Sequence, residues 1–145
     1  MTRKKVLSMV FAFMLALNLF VDVRLNSALA AVKPGDVVSP QYTYTKKVVA
    51  QLWSDKPGVA TCSGKVTVYD NSSKISLTVQ LLRKDGSSWK EVASWSGSGS
   101  GNLSYSITKD RAVSSGTYKV RVSGTITTVD GKTEKVSQST SEKIF

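Results

Sequence analysis

The sequence predicts an all-β fold: a single antiparallel sandwich of two sheets with about seven strands. Two observations carry this prediction. After residue 40, apolar residues recur at every second position, which is the pattern of a half-buried strand. Turn signals such as Asp-Gly and Pro-Gly separate these stretches at short intervals, as they do in all-β domains. No stretch after residue 40 has the 3.6-residue period of a helix.

The strand regions are bounded by these turn signals, and each is expected to place its apolar residues on one face. The last region has few apolar residues, which is typical of an edge strand. The stretch from Gly97 to Gly101 is expected to be a flexible loop. The predicted strand regions are Gln41 to Trp53 with a break near Lys46-Lys47, Val59 to Tyr69, Ile75 to Leu81, Trp89 to Trp95, Leu103 to Ile107, Tyr118 to Ile126, and Thr133 to Thr140.

Two of these regions supply the candidate core. Alternation places one face of each against the opposite sheet. The expected core residues there are Ala60, Cys62, Gly64, Val66, Val68, Ile75, Leu77, Val79 and Leu81.

The start of the chain predicts export. A basic segment, Thr2 to Lys5, precedes an apolar run from Val6 to Val21. Small residues then stand at the −3 and −1 positions of a cleavage site between Ala30 and Ala31, which completes the layout of a secretory signal peptide. The apolar run is shorter than the roughly 20 residues that a membrane-spanning helix needs.

The chain is therefore expected to divide into a signal peptide (1–30), a flexible lead (31–40) and one β domain (41–145). We expect the protein to be secreted and extracellular, and to meet a membrane only through the uncleaved signal peptide.

One short segment resembles a known family. Ser114 to Val120 is similar to the start of strand F in immunoglobulin-like domains, where a polar residue, a small residue and Tyr precede Cys. The resemblance implies that Tyr118 forms a tyrosine corner, with its hydroxyl bonded to the preceding turn. Val120 stands in the Cys position, while Cys62 lies on the strand that carries the other family Cys. The Trp that the family carries on strand C is also absent, with Ile75 or Leu77 in that region. These departures argue against an antibody-type domain, and the resemblance implies an immunoglobulin-like or fibronectin-like sandwich without a disulfide.

A second resemblance covers more of the chain. The blocks Ser39 to Tyr42, Ala60 to Gly64, Trp89 to Ser96 and Gly116 to Tyr118 are similar to small secreted proteins of Gram-positive anaerobes of the Clostridia type. This likeness implies a Gram-positive bacterium, secretion and the sandwich. It implies no activity.

The chemistry of the side chains disfavours catalysis and cofactors. The chain has no His and one Cys, so it cannot supply a Ser-His-Asp triad, a Cys-His pair or a cluster of thiolate metal ligands. Most Asp residues lie in predicted turns, where Asp bonds its own turn backbone. Cys62 is expected to be a small buried hydrophobe. We therefore expect no enzyme activity, no metal and no cofactor.

The charge favours an anionic partner. The chain is basic, with a net charge of +10. Outside a cell, such a protein meets wall polymers, acidic glycans and lipid head groups, while nucleic acid is not an expected partner. The alternative interpretation is a solvated surface that keeps the protein soluble.

The tryptophans are the candidate ligand-binding residues. By simple alternation, Trp89 and Trp95 share a face with Glu91, and Val92 points to the other face. If both tryptophans point outward, they and Lys90 could stack on sugar rings or anchor a protein partner. If they point inward, they are core residues, and we expect this for at least one of them.

The sequence therefore predicts a secreted, noncatalytic module that binds an unknown component of the cell surface or the extracellular space. One alternative is a protein that binds a carbohydrate or an anionic wall polymer through surface Trp and Lys/Arg side chains. Another alternative is a secreted antagonist of other bacteria.

Overall fold

The computed structural model describes residues 41–145, which form two antiparallel β-sheets. The predicted signal peptide, its cleavage site and the lead at 31–40 lie outside the described residues. The strands are β1 (Thr45–Trp53), β2 (Val59–Val68), β3 (Lys74–Asp85), β4 (Ser88–Gly99), β5 (Ser104–Ala112), β6 (Thr117–Thr127), β7 (Thr133–Ser139) and β8 (Lys143–Ile144). The all-β prediction is confirmed. The eighth strand, which was not predicted, is a two-residue pairing with β6. No helix within residues 41–145 is long and apolar enough to cross a membrane.

The two sheets have different sizes. One contains three strands in the order β1-β2-β5. The other contains five, in the order β4-β3-β6-β7, with β8 beside the start of β6. The edge position predicted for the last polar strand region is confirmed, because β7 ends this order. The break predicted near Lys46-Lys47 is present as a register shift between Thr45 and Lys47.

The core lies between the sheets and follows the predicted alternation. Each core residue predicted on β2 and β3 is buried. The β6 residues Tyr118, Val120, Val122 and Ile126 join the same cluster. The remaining buried apolar members include Ile107 of β5 and Val136 of β7.

Two hairpins form where the turn signals predicted them. Asp85 ends β3, and Gly86 follows with φ of +61°, a conformation that glycine adopts without strain. Asp130 and Gly131 lie in the turn between β6 and β7, where the Gly131 N–H donates to the Thr128 carbonyl oxygen at 3.0 Å. One loop prediction is wrong, since β4 continues through Gly97 to Gly99.

The hydrogen bond expected of a tyrosine corner is present. The Tyr118 hydroxyl donates to the Ser114 carbonyl oxygen at 2.9 Å, four residues back along the chain. The ring is buried, and the Phe145 ring meets it edge-on with a centroid distance of 5.6 Å. Val120 is buried in the core, and Cys62 is a free, buried thiol.

Candidate functional site

A bulge in β4 separates the two candidate tryptophans. Leu81 of β3 pairs with Ala93, but the next residue, Leu82, pairs with Glu91, so Val92 is an extra residue. One extra residue reverses the side-chain alternation beyond it. The prediction that Trp89 and Trp95 share a face is therefore wrong.

The two tryptophans lie in different surroundings. Trp95 pairs with Val79 and packs against the core, which meets the expectation that at least one tryptophan is a core residue. Trp89 pairs with Lys84 on the outer face of the five-stranded sheet. Lys90 pairs with Arg83, on the opposite side of β4 from Trp89, and its ammonium forms an ion pair with Asp85. The structure thus does not bring the three predicted residues together.

Trp89 lies beside two ammonium groups. The Nζ atoms of Lys119 and Lys84 are 4.1 Å and 5.7 Å from the ring centroid. Each such contact at an exposed site stabilises by about 0.5–1 kcal/mol. Leu82 has an outward position yet is only 4% exposed. The Lys84 ammonium is also ion-paired with Glu142 Oε2 at 3.0 Å. The result is an aromatic patch with the Lys119 ammonium over its ring, which can offer an apolar surface and a counter-charge to one ligand.

The rest of this outer face is rich in hydroxyl groups. A shallow groove of about 450 Å³ crosses the strands. Thr78 and Ser96 are joined across two strands by a 2.8 Å hydrogen bond between their hydroxyls. The hydroxyl side chains that line the groove, together with Lys135, are Ser76, Thr78, Ser96, Ser123, Thr125 and Ser137.

Charge is distributed unequally between the two outer faces. The outward positions of the five-stranded sheet carry five cations and one carboxylate, Glu91, which accepts a hydrogen bond from Gln80. The cations are Lys74, Lys84, Lys119, Arg121 and Lys135. Outward positions of the paired strands in the three-stranded sheet carry Lys47 and Lys65 against Asp110. The sequence alone did not reveal this grouping, because it depends on which strands are neighbours.

A second groove lies at the seam between the sheets. It has a volume of about 450 Å³ and is lined by Trp95, Tyr105, Ile107 and Lys109, with hydroxyl side chains beside them. Tyr105 packs closely on β4, since a Cβ at Gly99 would lie 2.6 Å from its Cδ2 atom. The seam therefore has aromatic walls and a cation at one end.

Two aspartates, Asp70 and Asp130, have local structural roles. The Asp70 carboxylate accepts a hydrogen bond from the Ser72 backbone at 2.9 Å, which lowers the pKa of Asp70. Hydrogen bonds from Lys132 and Thr128 lower the pKa of Asp130 to about 2. These contacts confirm the turn role predicted for Asp at both positions.

Cys62 has the surroundings of a core residue. Its side chain is fully buried, and burial, with a smaller contribution from the charge of Asp110, raises its pKa to about 11. A thiol with a raised pKa is a poor nucleophile at neutral pH. Across residues 41–145, no three His, Cys, Asp or Glu side chains gather closely enough to hold a metal ion.

Comparisons with known proteins add no assignment: neither a protein-family model nor a curated protein matches this chain.

Proposed function

We propose that this protein is a secreted, noncatalytic binding module that holds an anionic polymer of the cell surface on the outer face of its five-stranded sheet. The observation that carries the proposal is the concentration of five cations on that face against two carboxylates, Glu91 and the Glu142 that is ion-paired with Lys84, beside a groove lined by hydroxyls. Lysine and arginine attract phosphate or carboxylate groups, and hydroxyls can hydrogen-bond to sugar or polyol units.

Trp89 adds to this surface. Its ring lies on the same face as the cations, and indole rings present large apolar surfaces for stacking. A polymer with alternating anionic and sugar or polyol units would meet charge and an aromatic surface along one face. Trp95 and Lys90, which point away from this face, are not part of the proposed polymer site.

We also propose that the domain belongs to the immunoglobulin-like sandwiches, in the fibronectin-like group. Strands β1 to β7 correspond in chain order to A, B, C, C′, E, F and G of that group. The sheets then read A-B-E and C′-C-F-G. The hydrogen bond from Tyr118 to Ser114 lies at the start of the strand that corresponds to F. Both features support the resemblance seen in the sequence.

Polymer binding is tested with a defined probe. We would measure the affinity of residues 31–145 for purified poly(glycerol phosphate), with neutral dextran as the comparison. The variant Arg121→Gln/Lys135→Gln should bind roughly tenfold more weakly at low salt, since it removes two positive charges from the proposed face. The matched control Lys47→Gln/Lys65→Gln removes two charges from the opposite face and should bind like the unaltered protein.

Two results would count against the site. Equal losses of affinity in both double variants would mean that binding depends on the net charge of the protein and not on one face. Binding to dextran as strong as binding to poly(glycerol phosphate) would mean that charge does not select the ligand. Trp89→Ala separates stacking from charge. It should weaken binding to poly(glycerol phosphate) without changing how steeply the affinity falls as the salt concentration rises.

Export is tested separately. The full chain, expressed in a Gram-positive host, should appear in the medium with a mass that starts at Ala31. A chain that stays in the cells with its first residues attached would contradict the secretion proposal. Ala28→Lys/Ala30→Lys should block cleavage and leave the chain uncleaved.

A further inference from the structure

The free edges of the two sheets are protected unequally. A sheet edge offers unpaired backbone N–H and C=O groups to other chains, and soluble proteins usually block it with charges, bulges, Pro or covering segments. The edge strands among residues 41–145 are β1 and β5 in one sheet, and β4 and β7 in the other, where the two-residue β8 lies on the same side of β6 as β7.

Two of these edges carry common protective features. β1 has a register shift next to Lys46 and Lys47. On β7, the Tyr42 hydroxyl donates to the Ser137 carbonyl oxygen and accepts from the Ser137 N–H, both at 3.2 Å. The Glu134 carboxylate also accepts a hydrogen bond from the Tyr44 N–H at 3.1 Å, which holds the segment before β1 beside β7.

The edges of β4 and β5 are protected over half their length. The first half of β4 has Lys90, Glu91 and the bulge at Val92. The second half, Ala93–Gly99, has no charge, no Pro and no bulge. β5 has three consecutive charged residues at 109–111, but none from Ser104 to Thr108.

These two unprotected stretches flank one groove. Trp95, Tyr105 and Ile107 line the seam between β4 and β5, and Lys109 lies at its end. A ligand there meets backbone groups of β4 with which no strand of residues 41–145 pairs, beside a groove with aromatic walls. An extended peptide strand can pair with such an edge while its alternate side chains enter the groove.

We propose that the Ala93–Gly99 edge of β4 binds an extended peptide segment of another protein by strand addition. Alternate apolar side chains of this peptide enter the groove between Trp95 and Tyr105, and an acidic residue at one end faces Lys109. The site borders the proposed polymer face, because Ser96 lines both grooves. It depends on the edge of β4 and not on the cations of that face, so either proposal can fail without the other.

The test uses a synthetic heptapeptide in which Thr and Val alternate and Glu is the last residue. Binding to residues 31–145 should slow backbone hydrogen exchange at Ala93–Gly99. A copy of the peptide that is N-methylated at every backbone amide, so that both of its edges lose their N–H donors, should not bind, because strand addition requires those donors.

Two added charges test the same edge from the protein side. Ser94 and Ser98 are exposed, so Ser94→Lys/Ser98→Lys should fold normally and bind the peptide about tenfold more weakly, because edge lysines oppose strand pairing. The control Gln51→Lys places one lysine on an exposed position of β1 and should leave peptide affinity unchanged, whereas Ser94→Lys alone should already weaken it. A melting temperature for each variant confirms that it is folded.

Three results would overturn the proposal. The first is no binding at millimolar peptide. The second is binding that leaves exchange in Ala93–Gly99 unchanged, or that the N-methylated peptide shares. The third is a dimer of the unaltered protein that Ser94→Lys/Ser98→Lys dissociates while the peptide fails to bind, since the edge would then pair with a second copy of this chain.

Discussion

Gly64 of β2 faces Val79 of β3 across the core, and a Cβ at Gly64 would lie 2.6 Å from a γ-methyl carbon of Val79. A γ-methyl carbon of Val122 would be 2.8 Å away. Real Cβ atoms do not come this close to carbon, so the two sheets depend on glycine for their spacing at this point.

Gly64→Ala should therefore destabilise the domain by about 1–3 kcal/mol, the usual cost of inserting a methyl group into a packed core. Urea denaturation would measure the change. The same substitution in a Val79→Ala background should cost less, because the shortened side chain leaves room for the new methyl group. Equal costs in the two backgrounds would contradict the proposed clash.

The Tyr118 hydroxyl gives a second stability prediction. Tyr118→Phe removes the 2.9 Å hydrogen bond to the Ser114 carbonyl and leaves the ring in place. The expected loss is about 0.5–1.5 kcal/mol in the free energy of unfolding. Tyr69→Phe is the control, because Tyr69 is 63% exposed. This variant should lose no more than about 0.5 kcal/mol in the free energy of unfolding. Similar losses in both variants would argue against a stabilising role for the corner.

The tryptophans provide a test of the bulge at Val92. In a variant that keeps only Trp89, with the other tryptophans changed to Phe, iodide should quench fluorescence more strongly than caesium, because the Lys119 ammonium lies 4.1 Å from the ring centroid. Adding Lys119→Gln should reduce this preference. In a variant that keeps only Trp95, Lys119→Gln should have no effect. A similar response from both tryptophans would place them on one face and contradict the register of β4.

The bulge also marks the limit of what the sequence could predict. Alternation and turn residues predicted the core faces of β2 and β3, since strand period and burial agree there. Nothing in the segment from Trp89 to Trp95 signals an extra residue, so simple alternation placed both tryptophans together. Only pairing with β3 fixes the shift at Val92.

Composition was misleading at the end of the same strand. The Gly and Ser residues from Gly97 to Gly101 are typical of a loop, yet β4 continues to Gly99. The reason is tertiary, because the Tyr105 ring occupies the space where side chains at Gly97 and Gly99 would stand. The cationic outer face depends in the same way on strand neighbours that are distant in sequence.

Cys62 gives a prediction of pH dependence. The pKa of its thiol rises from the ordinary 9.0 to about 11 in the folded chain, chiefly through burial. Below pH 9 the thiol is protonated in both states, so it adds no pH dependence to stability. Between these two values the unfolded chain releases the proton while the folded chain keeps it, and this favours unfolding. Above the pKa of the thiol in the folded chain, the loss of stability levels off.

Cys62→Ala isolates this effect from the alkaline titration of Lys and Tyr. The variant should be less stable than the unaltered protein at pH 7, because it loses buried atoms from the core. The difference in the free energy of unfolding should then shrink as the pH rises from 9 to 11, since only the unaltered protein carries the thiol. Urea denaturation at each pH measures it, and a difference that stays constant across this range would contradict the raised pKa.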